Sequence, residues 1–243
     1  MVRALWPRVK RALHRVGLDV RRLPRDAPAW RGPYIHQVYD AICTSFVHVP
    51  KTGGTSIEHS LEPHLDKPFA GGHTTAAQFA LICPAEWRDY FSFGFVRNPW
   101  DRLLSAYRYL MQLPPELGIE QQDFVRQRWL RYENDFEGFV GALAAEPTSI
   151  FFVAHLWPQV YYLCDPSGEV MVDFVGRYER LHEDWARVCH RIGIEAPLPH
   201  LRRTSERRPP YTAVYTPRSR EQVATLYRQD IEAFGYEFDS GAA

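Results

Sequence analysis

The sequence contains no long apolar run. A membrane-spanning helix needs about 20 consecutive apolar residues, and no stretch of the 243 residues approaches that length. The beginning of the chain also lacks the apolar core of a secretory signal peptide, because arginines interrupt each short apolar run there. We therefore expect a cytoplasmic protein.

Cysteine is scarce, and net charge is absent. The four cysteines are far apart and match no metal-binding spacing, so we expect reduced thiols and no metal site. The formal net charge is zero, which is not the balance expected of a nucleic-acid-binding protein. The cysteines are Cys43, Cys83, Cys164 and Cys189.

Positive charge is concentrated at the start of the chain. Residues 1–25 carry eight basic residues and one acidic residue. Either this segment contacts the anionic inner face of a membrane through an apolar stripe, or it is a solvated leader. We treat residues 1–33 as a basic arm and residues 34–243 as a single domain, an ordinary size for an α/β fold. The apolar stripe consists of Leu5, Val9, Leu13 and Val16.

Short apolar segments alternate with amphipathic ones in the rest of the chain. AICTSFVHV (41–49) and FSFGFV (91–96) predict buried strands, because both are rich in β-branched and aromatic residues. Residues 160–176 predict a β-hairpin that turns at Asp165. The alternation predicts a mostly parallel sheet covered by helices. Helices are predicted after Asn98 and over residues 54–62, 74–82, 135–146, 179–192 and 217–235.

The segment VPKTGGTS (49–56) joins the first predicted strand to a helix. Amides at a helix N-terminus beside two adjacent glycines are typical of an anion-binding loop, although a tight turn that merely needs glycine would look similar. Lys51 precedes the glycines, whereas the lysine of a nucleotide-triphosphate loop follows them. No acidic residue resembles a Mg²⁺ ligand at a strand end. The segment therefore favours metal-free transfer from a nucleotide with a short 5′ anhydride over ATP chemistry.

A second anion site is predicted from FVRNPWDRLLSAY (95–107). Arg97 follows a strand, Asn98 is a good helix cap, and Ser105 lies on the polar helix face about two turns later. An arginine and a hydroxyl placed in this way can clamp a phosphate. The simpler alternative is a capped helix with an exposed arginine.

Together, these segments resemble the sulfotransferases that use 3′-phosphoadenosine 5′-phosphosulfate (PAPS). PKTGGTS is similar to the family's 5′-phosphosulfate loop, and RNPWDRLLSAY is similar to its 3′-phosphate motif. The resemblance covers roughly residues 41–238 and continues through HLWPQVYYL, DFVGRYERL and LYRQDIEAFGYEF. It points to the carbohydrate-modifying branch that includes the Golgi glycan sulfotransferases. PHLRRTSERRPPY resembles the cofactor-covering loop of uronosyl 2-O-sulfotransferases.

The resemblance implies a P-loop-like three-layer α/β fold, no metal, PAPS as the donor and 3′,5′-adenosine bisphosphate as the product. Golgi members carry an N-terminal membrane anchor where this sequence has the basic arm, so we expect a bacterial or otherwise cytosolic enzyme. The implied donor-binding residues are Lys51, Thr52, Gly53, Gly54, Thr55 and Ser56 for the 5′-phosphosulfate, Arg97 and Ser105 for the 3′-phosphate, and Thr204, Ser205 and Arg207 for closure over the nucleotide.

The resemblance also implies sulfuryl transfer to a hydroxyl of a carbohydrate or glycolipid acceptor. We expect Lys51 to stabilise the leaving phosphate and His73 to be the base, because His73 matches a family histidine and an imidazole suits neutral pH. His73 as a capping or supporting residue is an equal alternative, and a carboxylate base at Glu58 is another. His48 is expected to be structural. The uronosyl enzymes have a second histidine where this chain has Gly71, so their specificity does not transfer.

The acceptor side should contain aromatic rings and arginines. We expect His155, Trp157 and Arg177 to contact the acceptor by stacking or hydrogen bonding. Two other functions fit the loop alone. One is a P-loop-like kinase or phosphotransferase, and the other is an inactive nucleotide-binding adaptor.

Overall fold

A central sheet organises the described part of the chain. The structure, a computed structural model, describes residues 37–65, 72–198 and 209–239. The strands of this part are β1 (Val38–Tyr39), β2 (Thr44–Val47), β3 (Phe91–Val96) and β4 (Phe174–Arg177). They lie in the order β1–β2–β3–β4, with β1 antiparallel to β2 and the other neighbours parallel. The predicted mostly parallel sheet is confirmed.

Helices cover this sheet. Every segment predicted to be helical contains a helix, and α3, α5 and α7 were not predicted. None of the helices in the described ranges is long and apolar enough to cross a bilayer. The helices are α1 (Gly54–Leu61), α2 (Ala76–Ile82), α3 (Pro84–Asp89), α4 (Pro99–Leu110), α5 (Ile119–Arg128), α6 (Phe136–Ala145), α7 (Val160–Leu163), α8 (Leu181–Ile192), α9 (Pro217–Leu226) and α10 (Arg228–Phe234).

Both faces of the sheet are buried. Successive side chains of a strand point to opposite faces, so Phe46 belongs to the apolar cluster with α1 and α8. Its neighbour Val47 belongs to the cluster with α2, α7 and α10. The result is the three-layer α/β arrangement that was predicted. A third apolar cluster lies among α4, α5, α6 and α9.

Helix α4 begins as the sequence predicts. The Asn98 side chain accepts a hydrogen bond from the Trp100 amide at 3.1 Å, and Pro99 occupies the first helical position. Leu103 and Tyr107 are buried on the apolar face. This cap fixes where the helix starts, and it thereby leaves Arg97 as the single residue between β3 and the capping asparagine.

Of the hairpin predicted over residues 160–176, the structure keeps the turn at Asp165 and a single antiparallel bridge between Cys164 and Val170, but the prediction of two long strands is wrong. Its first arm is helix α7, and the end of its second arm is β4, which pairs in parallel with β3. Buried apolar runs of this length do not distinguish a short helix from a strand. The helix is favoured because Asp230 accepts hydrogen bonds from the amides of Gln159 and Val160 at its start.

The single helix predicted over residues 217–235 is two helices in the structure. Tyr227 separates α9 from α10 and is almost completely buried. Its phenol donates a hydrogen bond to the Leu156 carbonyl at 2.8 Å. This contact anchors the junction of the two helices to the segment that precedes α7.

Candidate active site

The loop between β2 and α1 is held by internal contacts. Thr52 is fully buried, and its hydroxyl donates to the Val49 carbonyl at 2.8 Å. Lys51 (φ 69°) and Gly53 (φ 86°) have left-handed backbones, a conformation that is unfavourable for lysine. Within the described residues the amides of Gly53, Gly54 and Thr55 have no acceptor. They are therefore available to an anion at the N-terminus of α1.

Ser56 is placed differently from its neighbours in the loop. Its amide donates to the Gly53 carbonyl at 3.0 Å and so closes the first turn of α1 rather than facing an anion. Contact between the Ser56 hydroxyl and the 5′-phosphosulfate stays a prediction.

The two loop glycines are required by close packing. A Cβ atom on Gly54 would lie 2.1 Å from the ring of His48, and one on Gly53 would lie 2.9 Å from the side chain of Leu181. Real Cβ atoms do not approach other heavy atoms so closely. Gly54 therefore allows His48 to pack against the backbone at the start of α1, and Gly53 leaves room for Leu181.

The substitution Gly54→Ala is expected to lower the free energy of unfolding by about 1–3 kcal/mol, the usual cost of forcing extra volume into a packed site. His48 would have to leave its position. Gly141→Ala is the matched control, because a Cβ at this helical glycine meets no atom within 4 Å. It should be neutral or stabilising by up to about 1 kcal/mol. Denaturant unfolding of both variants tests this, and equal stabilities would contradict it.

Positive charge accumulates around the loop. Lys51 lies with its ammonium group 4.2 Å from the centre of the Tyr109 ring. Arg102 is 2% exposed and donates from Nε to the Pro50 carbonyl at 2.9 Å. Burial, followed by the positive charges of Arg97 and Arg102, lowers the pKa of Lys51 to about 8. An anion bound here would relieve this repulsion.

Arg97 is fixed at the carboxyl end of β3. Its Nε and Nη2 atoms contact Oδ2 of Asp101 at 2.8 and 2.7 Å, and its Nη1 donates to the Lys51 carbonyl at 3.1 Å. The guanidinium lies 4.0 Å from the centre of the Tyr178 ring. Arg97 therefore links the loop to α4 in one defined position, and it is not the freely exposed arginine of the simpler alternative.

Three histidines come together beside the loop. The rings of His73 and His48 are 4.7 Å apart, and those of His73 and His155 are 5.2 Å apart. Nδ1 of His73 lies 3.0 Å from the His48 carbonyl oxygen. Because a carbonyl only accepts, Nδ1 carries the proton in the neutral ring, and Nε2 keeps its lone pair. Burial, followed by the charges of His48 and His155, lowers the pKa of His73 well below 6.5.

Glu58 supports this cluster from α1. Its side chain is 2% exposed, and Oε1 accepts hydrogen bonds from Nδ1 of His48 at 2.8 Å and from Gln37 at 3.2 Å. These contacts give Glu58 a structural role in orienting His48. If Glu58 were the base, it would have to take the hydroxyl proton on a buried carboxylate that already accepts these two hydrogen bonds.

His155 forms the far side of the cluster. Its ring stacks on Tyr109 with the centres 4.6 Å apart. Burial, followed by the charge of Lys51, lowers the pKa of His155 to about 3. Its Nδ1 is buried and has no partner among the described residues. A buried polar atom without a partner is unfavourable, so this atom is suited to a hydrogen bond with a bound molecule.

The remaining predicted residues are distributed around this cluster. Ser105 is partly buried on α4, one helical turn beyond Asp101. Trp157 donates from Nε1 to the Phe151 carbonyl at 2.9 Å. Arg177 is the last residue of β4 and pairs with Val96 of β3. Its guanidinium, however, bonds to the Phe234 carbonyl and lies over the ring of Tyr236. Thr204, Ser205 and Arg207 lie outside the described residues.

Several residues of the site were not predicted from the sequence. Tyr109 and Tyr178 pack against Lys51 and Arg97, and Arg102 ties the loop to α4. Arg102 and Tyr109 lie on the same helix as Ser105, three residues before it and four residues after it. Side chains at these spacings share one helix face, so the helical pattern of RNPWDRLLSAY could have identified Arg102 and Tyr109. Gln159 bonds to the backbone of Arg97 from 62 positions away, and no local pattern indicates that contact.

Several known proteins are similar to this chain in sequence. The chain is 35% identical to carbohydrate sulfotransferase 14 of Homo sapiens over 167 residues, which cover 61% of this chain and 43% of that protein. It is 31% identical to carbohydrate sulfotransferase 11 of Rattus norvegicus over 169 residues, which cover 61% of this chain and 47% of that protein. The matches thus span less than half the length of these two relatives.

A further relative is an uncharacterised protein of Archaeoglobus fulgidus, 28% identical over 109 residues that cover 45% of this chain and 72% of that protein. No solved structure matches the chain significantly. The family described as the Sulfotransferase family matches residues 44–237. Because this match spans most of the chain and includes the loop, Arg97 and the histidine cluster, the chain belongs to the sulfotransferase family.

Proposed function

We propose that this protein transfers a sulfuryl group from PAPS to a hydroxyl of a carbohydrate or glycolipid acceptor. The observation that carries the proposal is the crowding of Lys51, Arg97 and Arg102 around a loop whose amides have no acceptor among the described residues. Such an arrangement is suited to an anionic ligand. The named relatives are carbohydrate sulfotransferases, which supports a sugar as the acceptor.

The residues present fit a nucleotide that carries anionic groups at both ends of its ribose. The loop amides and Lys51 would hold the 5′-phosphosulfate. Arg97 is fixed against Asp101 and the loop backbone, and with Ser105 it would hold the 3′-phosphate. PAPS supplies the sulfuryl group, and its 5′-phosphate is the leaving group. The cluster of cations and amides needs no metal ion to offset that charge.

The proposed chemistry assigns one role to each side of the cluster. His73 accepts the proton of the acceptor hydroxyl at Nε2, while the hydroxyl oxygen forms a bond to sulfur. The bond between sulfur and the 5′-phosphate oxygen breaks, and Lys51 and the loop amides stabilise the electron pair left on that oxygen. The lowered pKa of His73 keeps its lone pair available at neutral pH.

The acceptor would enter beside His155. The unpartnered Nδ1 of this residue is placed to bond to a sugar hydroxyl or to the donor. Trp157 and Arg177 stay predictions for the acceptor side, since their polar groups contact Phe151 and Phe234 in the structure. The acceptor is therefore best identified by transfer of labelled sulfate to panels of glycans and glycolipids.

Binding of 3′,5′-adenosine bisphosphate tests the proposal directly. Arg97→Ala should weaken binding about 10- to 100-fold, which corresponds to the loss of charge-assisted hydrogen bonds to a phosphate. Arg88→Ala is the control, because Arg88 is an exposed residue that pairs with Asp89 on α3. Isothermal titration calorimetry gives both affinities, and thermal unfolding shows whether each variant remains folded.

Other results would favour the other functions. Mg²⁺-dependent binding of ATP without preference for a 3′-phosphate would indicate a kinase. Binding of the bisphosphate without labelled-sulfate transfer to any acceptor in the panels would indicate a nucleotide-binding adaptor. Either result would overturn the proposed transfer.

A further inference from the structure

Gln159 holds the backbone of Arg97 on both sides. The Arg97 amide donates to Oε1 of Gln159 at 2.9 Å, and Nε2 of Gln159 donates to the Arg97 carbonyl at 2.9 Å. Gln159 is fully buried. Val96 pairs with Arg177 at the end of the ladder between β3 and β4, so Arg97 lies just beyond it. The side-chain amide of Gln159 thus replaces a neighbouring strand at this position.

Gln159 is itself fixed by a buried carboxylate. Oδ2 of Asp230 accepts from the Gln159 amide at 2.9 Å, and Oδ1 accepts from the Val160 amide at 3.0 Å. Asp230 is fully buried on α10. The chain of contacts therefore runs from the C-terminal helices through Gln159 to the residue that follows β3. Asp230 and Gln159, the two side chains that lead to Arg97, are both fully buried.

The other end of Arg97 is fixed independently. Its guanidinium contacts Asp101 and the Lys51 carbonyl and lies over Tyr178. With the backbone and the guanidinium both held, the direction of the side chain is set before any ligand binds. A binding group that is held in advance loses less conformational entropy when its ligand arrives.

We propose that Gln159 is a positioning residue which, by bracketing the backbone of Arg97, gives the site its preference for nucleotides with a 3′-phosphate. This inference rests on the proposed function, in which Arg97 binds that phosphate. Gln159 is fully buried and bonded to the backbone of Arg97, so it acts on the nucleotide through that residue. Its substitution should therefore weaken recognition of the 3′-phosphate more than recognition of the 5′ end, which Arg97 touches through its bond to the Lys51 carbonyl.

The test compares two nucleotides. Adenosine 5′-monophosphate and 3′,5′-adenosine bisphosphate differ only in the 3′-phosphate, so the ratio of their dissociation constants measures that group. Gln159→Met removes both hydrogen bonds to the Arg97 backbone, together with the hydrogen bond of the Gln159 side chain to Asp230, with little change in volume. It should weaken binding of the bisphosphate about 10-fold and weaken binding of the monophosphate clearly less. Gln127→Met, at an exposed glutamine on α5, should change neither affinity.

Equal weakening for both nucleotides would show a general structural role and overturn the inference, as would an unchanged ratio in Gln159→Met. If the wild-type protein binds the bisphosphate without preferring it, the proposed function fails as well. A wild-type preference that survives in Gln159→Met leaves the proposed function intact and removes only the role of Gln159.

A second variant covers the case in which Gln159→Met does not fold. In Gln159→Glu, the introduced carboxyl group is isosteric and donates to the Arg97 carbonyl only when it is protonated. Burial, which raises the pKa of the neighbouring Asp230, would also disfavour the charged form of this introduced carboxyl group and so raise its pKa. The preference for the 3′-phosphate, relative to wild type at the same pH, should fall as the pH rises through that pKa. A ratio that does not change with pH would overturn the inference.

Discussion

Replacing Lys51 with methionine is expected to reduce sulfuryl transfer about 100- to 1000-fold, the usual effect of removing one preorganised group that stabilises developing negative charge. The ammonium group lies over Tyr109 beside the loop amides. In the proposed reaction it would face the place where the leaving phosphate gains charge. Affinity for 3′,5′-adenosine bisphosphate should also fall, because the charge that develops on the bridging oxygen is fully present on the 5′-phosphate of this product. Transfer of labelled sulfate and calorimetric binding measure the two effects.

The pH profile gives an independent check on Lys51. Its pKa is about 8 in the free protein because burial and the charges of Arg97 and Arg102 disfavour the charged form. The ammonium is therefore present below pH 8 and is lost above it. We expect kcat/KM, which reports ionisations of the free enzyme, to decline as the pH rises above about 8.

Lys51→Arg provides the comparison for that decline. A guanidinium remains charged throughout this range, so the variant should have a lower rate but no decline near pH 8. Arg88→Met controls for the loss of an exposed positive charge. If Lys51→Met keeps the wild-type rate, or if the decline persists in Lys51→Arg, Lys51 does not stabilise the leaving group.

The sequence predicted the parts of the site that depend on neighbouring residues. Gly53 and Gly54 between a strand and a helix indicate an anion loop, because each step of that inference uses short-range backbone geometry. Asn98 followed by Pro99 fixed the start of α4 for the same reason. In both segments the structure places the helix within one or two residues of the prediction.

The remaining parts depend on tertiary contacts that local patterns do not encode. Arg102 was not predicted because a fully buried arginine on an amphipathic helix is unusual. Its position is explained only by the Pro50 and His155 carbonyls that it contacts. The helix α7 was mistaken for a strand because its start is capped by Asp230, a residue about 70 positions away in the chain. Buried polar groups must find partners wherever the fold brings them.

The histidine cluster shows how the two kinds of information combine. The sequence suggested His73 as the base on the strength of a resemblance, and it left His48 as structural. The structure places the two rings in contact and fixes the His73 tautomer through the His48 carbonyl. Glu58 orients His48, and Gly54 leaves room for its ring. The loop that would hold the donor and the proposed base are therefore one packed unit.

Replacing His73 with asparagine is expected to lower kcat about 100- to 10,000-fold, the range for losing a general base. The asparagine amide can still donate to the His48 carbonyl in place of Nδ1, but it offers no basic nitrogen. His73→Ala should lose a similar amount of activity. Binding of 3′,5′-adenosine bisphosphate should stay close to that of wild type in His73→Asn, because neither loop amides nor cations are changed.

The pH dependence sharpens this last prediction. The pKa of His73 lies well below 6.5, so its ring is already neutral at pH 6.5 and the wild-type rate should show no inflection near that value. His190→Ala, at an exposed histidine on α8, is the control for removal of an imidazole. Unchanged turnover in His73→Asn would exclude His73 as the base. Proton transfer would then have to be assigned to His155, whose Nδ1 is buried without a partner among the described residues, and His155→Asn would be the decisive variant.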